Sequence, residues 1–248
     1  MGAVWGDRLT EVWASPTSAG TGLAVGTRGV LTARHLIADV SAGTTIWARV
    51  VRLRKQTGVW VEMTVAWQDP EWDLAVLEVD PEGSPGSWLT PRSSNAVVVA
   101  LGTGVEDGCE SVGFPDAVVQ PAKNGKPSEA VRQSDQVQGK VLPAGQGKAP
   151  QAPDHTLPLS WMPFDSDTRT PRDAAGWGGM SGAPVVLPWP DNRLVGTVVA
   201  AEQDGKRRLY VVPLAEALSR ASGLAEALGS LTEGPVRLEV RAIGRSLI

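Results

Sequence analysis

From Glu11 onward the chain is a succession of short apolar runs, each broken after five to ten residues by turn formers, with no long helical periodicity between them. EVWAS, GLAVG and GVLTA come first, and Gly26 to Gly29 supplies a tight turn between the last two. TIWARVVRL and VWVEMTVAW follow, joined through KQTG, and then LAVLEV. About seven short strands at this spacing argue for an antiparallel barrel or sandwich. Residues 36–40 read as a single helical turn after the hairpin. The stretch 80–95, DPEGSPGSWLTPRSSN, is dense in Pro, Gly and Ser and marks the boundary between two lobes.

The second half repeats the pattern. AVVVALGTG, CESVGFP, QVQGKVL and TLPLSWMPF are strand candidates; PAGQGKAPQAPD (143–154) is low in complexity and reads as an exposed loop. APVVLPWP and LVGTVVAAEQ flank the turn DNR as a hairpin, and RRLYVVPLAEALSR runs from a strand into a helix. LAEAL occurs at 214–218 and again at 224–228, fitting two short amphipathic helices separated by SG better than a true repeat. VRLEVRAIG is strand-like but has no evident place in a double barrel. The expected lobes are 1–90 and 91–213, followed by a helical and strand extension over 214–248.

Within this framework one stretch carries chemistry. In GWGGMSGAPVVL (176–187) four glycines and an alanine surround Ser181, and an apolar run follows at once, so the backbone must turn tightly and enter a buried strand. A hydroxyl so placed is either an ordinary turn serine or a nucleophile, and a nucleophile needs a base and an orienting partner. The chain has only two histidines. His35 closes the run GVLTARH, whereas His155 lies in the loop-like PDHT and reads as exposed and uninvolved. Asp73 stands directly before LAVL, unlike its neighbours Asp69, Glu71 and Asp80. The order is therefore His, Asp, Ser, one of the known triad orders. An α/β-hydrolase would need its histidine after the serine. Two distant histidines and one cysteine make no zinc spacing, so neither metal nor organic cofactor is expected.

These segments resemble the trypsin-like (chymotrypsin-fold) serine peptidases. TGLAVGTRGVLTARHLI is similar to the family's "GtGflv...vLTAaHvv" segment, EWDLAVLEV to "DiAlL", and GGMSGAPVV to "GdSGgPv"; the likeness covers about residues 8 to 215. It implies an all-β fold of two antiparallel six-stranded β-barrels with short C-terminal helices. It also implies a His35/Asp73/Ser181 triad acting through an acyl-enzyme, with the backbone N–H groups of Gly179 and Ser181 as the oxyanion hole. Counting along the motifs, the specificity pocket would have Ala175 at its floor and Val199, Ala200 and Ala201 along the substrate-facing strand. With no acid at that floor position, a small apolar or mid-sized side chain is the expected preference. Met180 stands where zymogen-activated members carry an aspartate, so control by a newly cut N-terminus is not expected. A catalytically silent barrel that binds a peptide or partner is the alternative.

Composition bears on the setting. A net charge of −4 gives no electrostatic reason to expect nucleic acid or an anionic membrane as partner. The substrate is expected to be a protein or peptide. The single cysteine, Cys109, cannot form an internal disulfide, which places the resemblance with the bacterial, disulfide-free branch and predicts a reducing, cytoplasmic setting. The first residues, MGAVWGDRLTEVWASP, carry charges where a secretory signal would be apolar. Relatives of this kind imply fusion to, or association with, regulatory domains in signalling or defence.

Overall fold

The computed structural model describes residues 8–15, 17–40, 44–52, 56–79, 98–99, 106–114, 127, 134–142, 161–167, 177–187, 193–202, 208–231 and 238–239. The lobe boundary expected at residues 80–95, the loop at 143–154, His155 and Ala175 lie outside them, except that the boundary is preceded by described residues up to 79.

The first lobe comprises β1 (Leu9–Ser15), β2 (Ser18–Val25), β3 (Gly29–Ala33), the one-turn helix α1 (His35–Ala38), β4 (Ile46–Arg52), the two-residue β5 (Gln56–Thr57), β6 (Val61–Asp69) and β7 (Leu74–Val79). Its main strands pair antiparallel in the order β1-β2-β3-β7-β6-β4, and β4 returns to β1 from Thr10↔Val50 to Trp13↔Trp47, closing six strands into a barrel. Closure removes the open edges that an antiparallel sheet would otherwise expose. The linker KQTG thus contains a short strand of its own, β5, paired to the end of β4. At the β2–β3 hairpin, Val25 pairs with Gly29, leaving a three-residue loop that starts at Gly26 with φ 59, where a side chain would be strained.

The second lobe comprises β8 (Val98–Val99), β9 (Glu106–Gly113), β10 (Asp135–Val141), β11 (Met162–Ser166), β12 (Pro184–Leu187), β13 (Arg193–Ala201) and β14 (Arg208–Pro213). The order β12-β9-β10-β11-β14-β13 closes through β12–β13, giving a second six-stranded antiparallel barrel. Across β11 and β14 the directly opposed Asp165 and Arg208 form a two-pronged ion pair at 2.6 and 3.1 Å, and the hydrogen bond to Asp165 holds the Arg208 pKa above its ordinary value. The strand expected in TLPLSWMPF begins at Met162.

Helices α2 (Leu214–Arg220) and α3 (Leu224–Leu231) form from the two LAEAL segments, and β15 (Leu238–Glu239) runs parallel to β8, which itself runs parallel to β13. Of the strand-like C-terminal run, Leu238 and Glu239 thereby join the second sheet. The apolar faces of the helices, Leu214, Leu218, Leu224, Leu228 and Leu231, share one core with Val12, Leu23, Leu31 and Leu77 of the first barrel and with Leu194, Tyr210 and Val212 of the second. Backbone groups tie them down as well: the Trp67 indole N–H donates to Ser222 O at 2.9 Å and Thr27 N–H to Leu231 O at 3.3 Å. The second barrel has a core of its own, including Val137, Phe164, Trp177, Met180, Val185 and Val211.

Trp47 is buried on β4, and Trp60, just before β6, lies under the Arg49 guanidinium at 4.4 Å from the ring centroid.

Candidate active site

Register in the first barrel brings His35 and Asp73 together. β3 and β7 pair with Ala33 opposite Leu74, so the end of one strand and the start of the other lie side by side. Arg34 N–H donates to Asp73 O at 2.9 Å across this junction. His35, the next residue, opens α1, and its backbone N–H donates to Asp73 Oδ1 at 2.8 Å. Its ring Nδ1 lies 2.7 Å from Asp73 Oδ2. An ionised carboxylate only accepts, so Nδ1 carries the proton and Nε2 is left as an acceptor. Asp73 has φ 50, the only positive φ on a non-glycine among the described residues. Aspartate is among the few side chains that tolerate that conformation.

The neighbouring acid Asp69 is otherwise engaged, its Oδ1 accepting the backbone N–H groups of Glu71 and Trp72 at 2.8 and 3.3 Å. This turn precedes Asp73 and leaves it alone to face the imidazole.

Ser181 comes from the second barrel, at the turn leading into β12. Gly179 and Gly182 have φ 88 and 84, left-handed values that glycine adopts without strain. Gly182 is also required by space: a Cβ there would lie 1.9 Å from Thr21 O. The turn is closed by Met180 N–H to Trp177 O (3.0 Å) and Ala183 N–H to Met180 O (2.8 Å), and fastened to β13 by Gly182 N–H to Val198 O (2.7 Å). Ser181 Oγ then lies 2.9 Å from His35 Nε2. Carboxylate, imidazole and hydroxyl form one hydrogen-bonded chain across the two lobes, the His35 side chain 42% exposed and Asp73 17%. Among the described residues, no acceptor takes the backbone N–H of Gly179 or of Ser181.

Of the expected pocket residues, Val199 is buried at a bulge of β13 where its pairing with β14 shifts, and Ala200 and Ala201 are half-buried on the same strand. Thr21 was not singled out from the sequence, yet it touches the serine turn three times. Its hydroxyl donates to Gly179 O at 2.6 Å, its N–H to Ser181 O at 2.8 Å, and its carbonyl abuts Gly182. Its only signal in the sequence is a polar residue between two glycines inside an apolar strand. Among the described residues no cluster of three or more His, Cys, Asp or Glu side chains could hold a metal ion.

The model of the trypsin-like peptidase domain family matches residues 20–196, a span that holds His35, Asp73 and Ser181. Solved structures share the fold. The active form of the Rv3671c protease from M. tuberculosis is 18% identical, with a TM-score of 0.59 over 94% of this chain and 85% of that one. The MamO protease domain from Magnetospirillum magneticum is 19% identical, with a TM-score of 0.55 over 87% and 96%. The HtrA-type protease AlgW solved with a tripeptide is 18% identical, with a TM-score of 0.58 over 88% of this chain and 60% of that one. No curated protein matches the sequence. With most of its length matched by the family model and both barrels in place, the chain belongs to the trypsin-like peptidases and is a serine endopeptidase.

Proposed function

We propose that peptide hydrolysis runs through His35, Asp73 and Ser181. The observation that carries this reading is the unbroken chain from Asp73 Oδ2 to His35 Nδ1 (2.7 Å) and from His35 Nε2 to Ser181 Oγ (2.9 Å). Ser181 Oγ attacks the scissile carbonyl carbon while its proton passes to Nε2. The resulting oxyanion takes hydrogen bonds from the N–H groups of Gly179 and Ser181. His35 returns the proton to the leaving nitrogen, the C–N bond breaks, and an acyl-enzyme remains on Ser181. Water then attacks the ester, giving its proton to Nε2, and the acid product leaves with Oγ–H restored. Asp73 fixes the imidazole tautomer and stabilises the imidazolium without becoming protonated.

The side chain preceding the cleaved bond is proposed to be small and apolar or mid-sized. This follows from Ala175 at the inferred pocket floor and from Val199, Ala200 and Ala201 on the inferred substrate strand, none of which carries a charge. We further propose an effector or signalling peptidase of a bacterial cytoplasm, acting on a protein substrate and fused to or associated with regulatory domains. Support comes from the single, buried Cys109, which leaves stability independent of disulfides.

Turnover of a fluorogenic peptide library tests the reading against a catalytically silent binding barrel. Cleavage by the wild-type chain, lost in Ser181→Ala, supports it. Peptide binding without cleavage would leave the silent barrel.

A further inference from the structure

Given the triad chemistry proposed above, on which this rests, we infer that Thr21 is a positioning residue for the oxyanion turn. Thr21 lies on β2 of the first barrel and is fully buried. It reaches 158 residues along the chain to hold the carbonyls of the same two residues whose N–H groups receive the oxyanion. Its Oγ1–H donates to Gly179 O at 2.6 Å, and its N–H donates to Ser181 O at 2.8 Å. The hydroxyl's lone pair is used too, accepting Phe114 N–H at 3.1 Å from the second barrel. The Thr21 carbonyl accepts Thr32 Oγ1–H at 2.7 Å, and Thr32 lies on β3, three residues before His35. One residue thus fastens the serine turn, the end of β9 and the strand that leads to His35 to each other.

The need for such a fastener follows from the backbone. Gly179, at φ 88, has no side chain to restrict its rotation, and a turn that rotated there would carry its N–H away from the substrate. Anchoring the carbonyl on one side of that N–H, and the Ser181 carbonyl beyond it, removes this freedom before substrate arrives, which is what electrostatic preorganisation requires. Met180 between them is buried among apolar residues and brings no charge to the task. The surroundings are shaped for the threonine hydroxyl: a Cβ on Gly113 would come within 3.0 Å of Thr21 Oγ1 and 2.6 Å of Met180 Sδ.

Thr21→Val keeps the shape and removes the hydroxyl, whereas Thr21→Ser keeps the hydroxyl. The expected result is a kcat lower by on the order of 10²-fold in Thr21→Val, with KM within about threefold, as for a small misplacement of reacting groups. Affinity for a peptide boronate, whose tetrahedral adduct uses the oxyanion donors, should fall in parallel with kcat. Thr21→Ser should restore kcat to within about threefold of wild type if the hydroxyl carries the effect. Should Thr21→Val fail to fold, as judged by circular dichroism, Thr21→Ala carries the same comparison. An active wild type alongside a folded Val or Ala variant of equal kcat would overturn the role of Thr21 alone, as would a Ser variant impaired as deeply as Val. A wild type that neither cleaves nor binds the boronate would overturn the triad reading and this one together.

Discussion

Asp73 grips His35 twice, its Oδ1 accepting the backbone N–H at 2.8 Å and its Oδ2 the ring Nδ1–H at 2.7 Å. The double contact fixes both the position of the residue and the rotation of its ring. Asp73 makes both contacts from a backbone at φ 50.

Asp73→Asn therefore separates geometry from charge. Asparagine also tolerates a left-handed φ, so the fold should hold, with a melting temperature near that of wild type. The amide no longer enforces the productive tautomer, and kcat should fall by on the order of 10³- to 10⁴-fold. Steady-state kinetics on the folded variant check this; a loss below about tenfold would mean that the carboxylate is dispensable.

The substrate preference is a separate matter. A peptide library should show cleavage dominated by small apolar or mid-sized residues before the scissile bond, since no charge sits among the inferred pocket positions Ala175, Val199, Ala200 and Ala201. A profile dominated by Arg or Lys would contradict the assignment of Ala175 to the pocket floor.

Stability should be sensitive where the first barrel closes. Glu11 and Arg49 stand directly opposite each other on β1 and β4, are 0% and 1% exposed, and form a hydrogen-bonded ion pair. Removing the carboxylate takes from the buried Arg49 its opposite charge, so Glu11→Ala should cost about 3–5 kcal/mol in urea unfolding. Replacing both by apolar residues of similar volume should recover most of that loss. A Glu11→Ala penalty below about 1 kcal/mol would show that the pair is not desolvated in solution.

Arg8 presents the opposite case. Its side chain is 1% exposed, its Nε, Nη1 and Nη2 have no hydrogen-bond partner among the described residues, and burial lowers its pKa. The charged form is thus disfavoured in the folded state, a cost relieved only as pH approaches the arginine range. Arg8→Met should stabilise the fold by about 1 kcal/mol or more, raising Tm by about 2–4 °C for each kcal/mol at this chain length. The gain should be equal at about pH 5 and about pH 9, both far below that range. A lower Tm in differential scanning calorimetry would mean that the guanidinium is paired.

The sequence makes His35, Asp73 and Ser181 legible because nucleophile, base and orienting acid must be of fixed residue types, each beside a strand boundary with its own local pattern. Short apolar runs bounded by turn formers likewise expose most strands of both barrels, continuous where both faces are buried, as in Gly29 to Ala33, and alternating where one face is open, as in Val61 to Thr64. Packing partners are less legible. The two LAEAL segments announce an apolar stripe each, but nothing local states that α2 packs on β13 and β14 of the second barrel while α3 packs on β6 and β7 of the first. β15 pairs with β8 across about 140 residues through two-residue strands too short to carry a pattern. Thr21 is invisible for the same reason: a threonine in a strand is ordinary, and only the assembled lobes bring it to Gly179.

The most direct test of the account is intact-mass spectrometry after incubation with a fluorophosphonate, which phosphonylates a serine only when a base activates it. The wild-type chain should gain one probe mass, located to Ser181 by peptide mapping, and Ser181→Ala and His35→Ala should gain none. Labelling that persists in either variant, or a wild type that stays unmodified, would contradict a working triad at Asp73, His35 and Ser181.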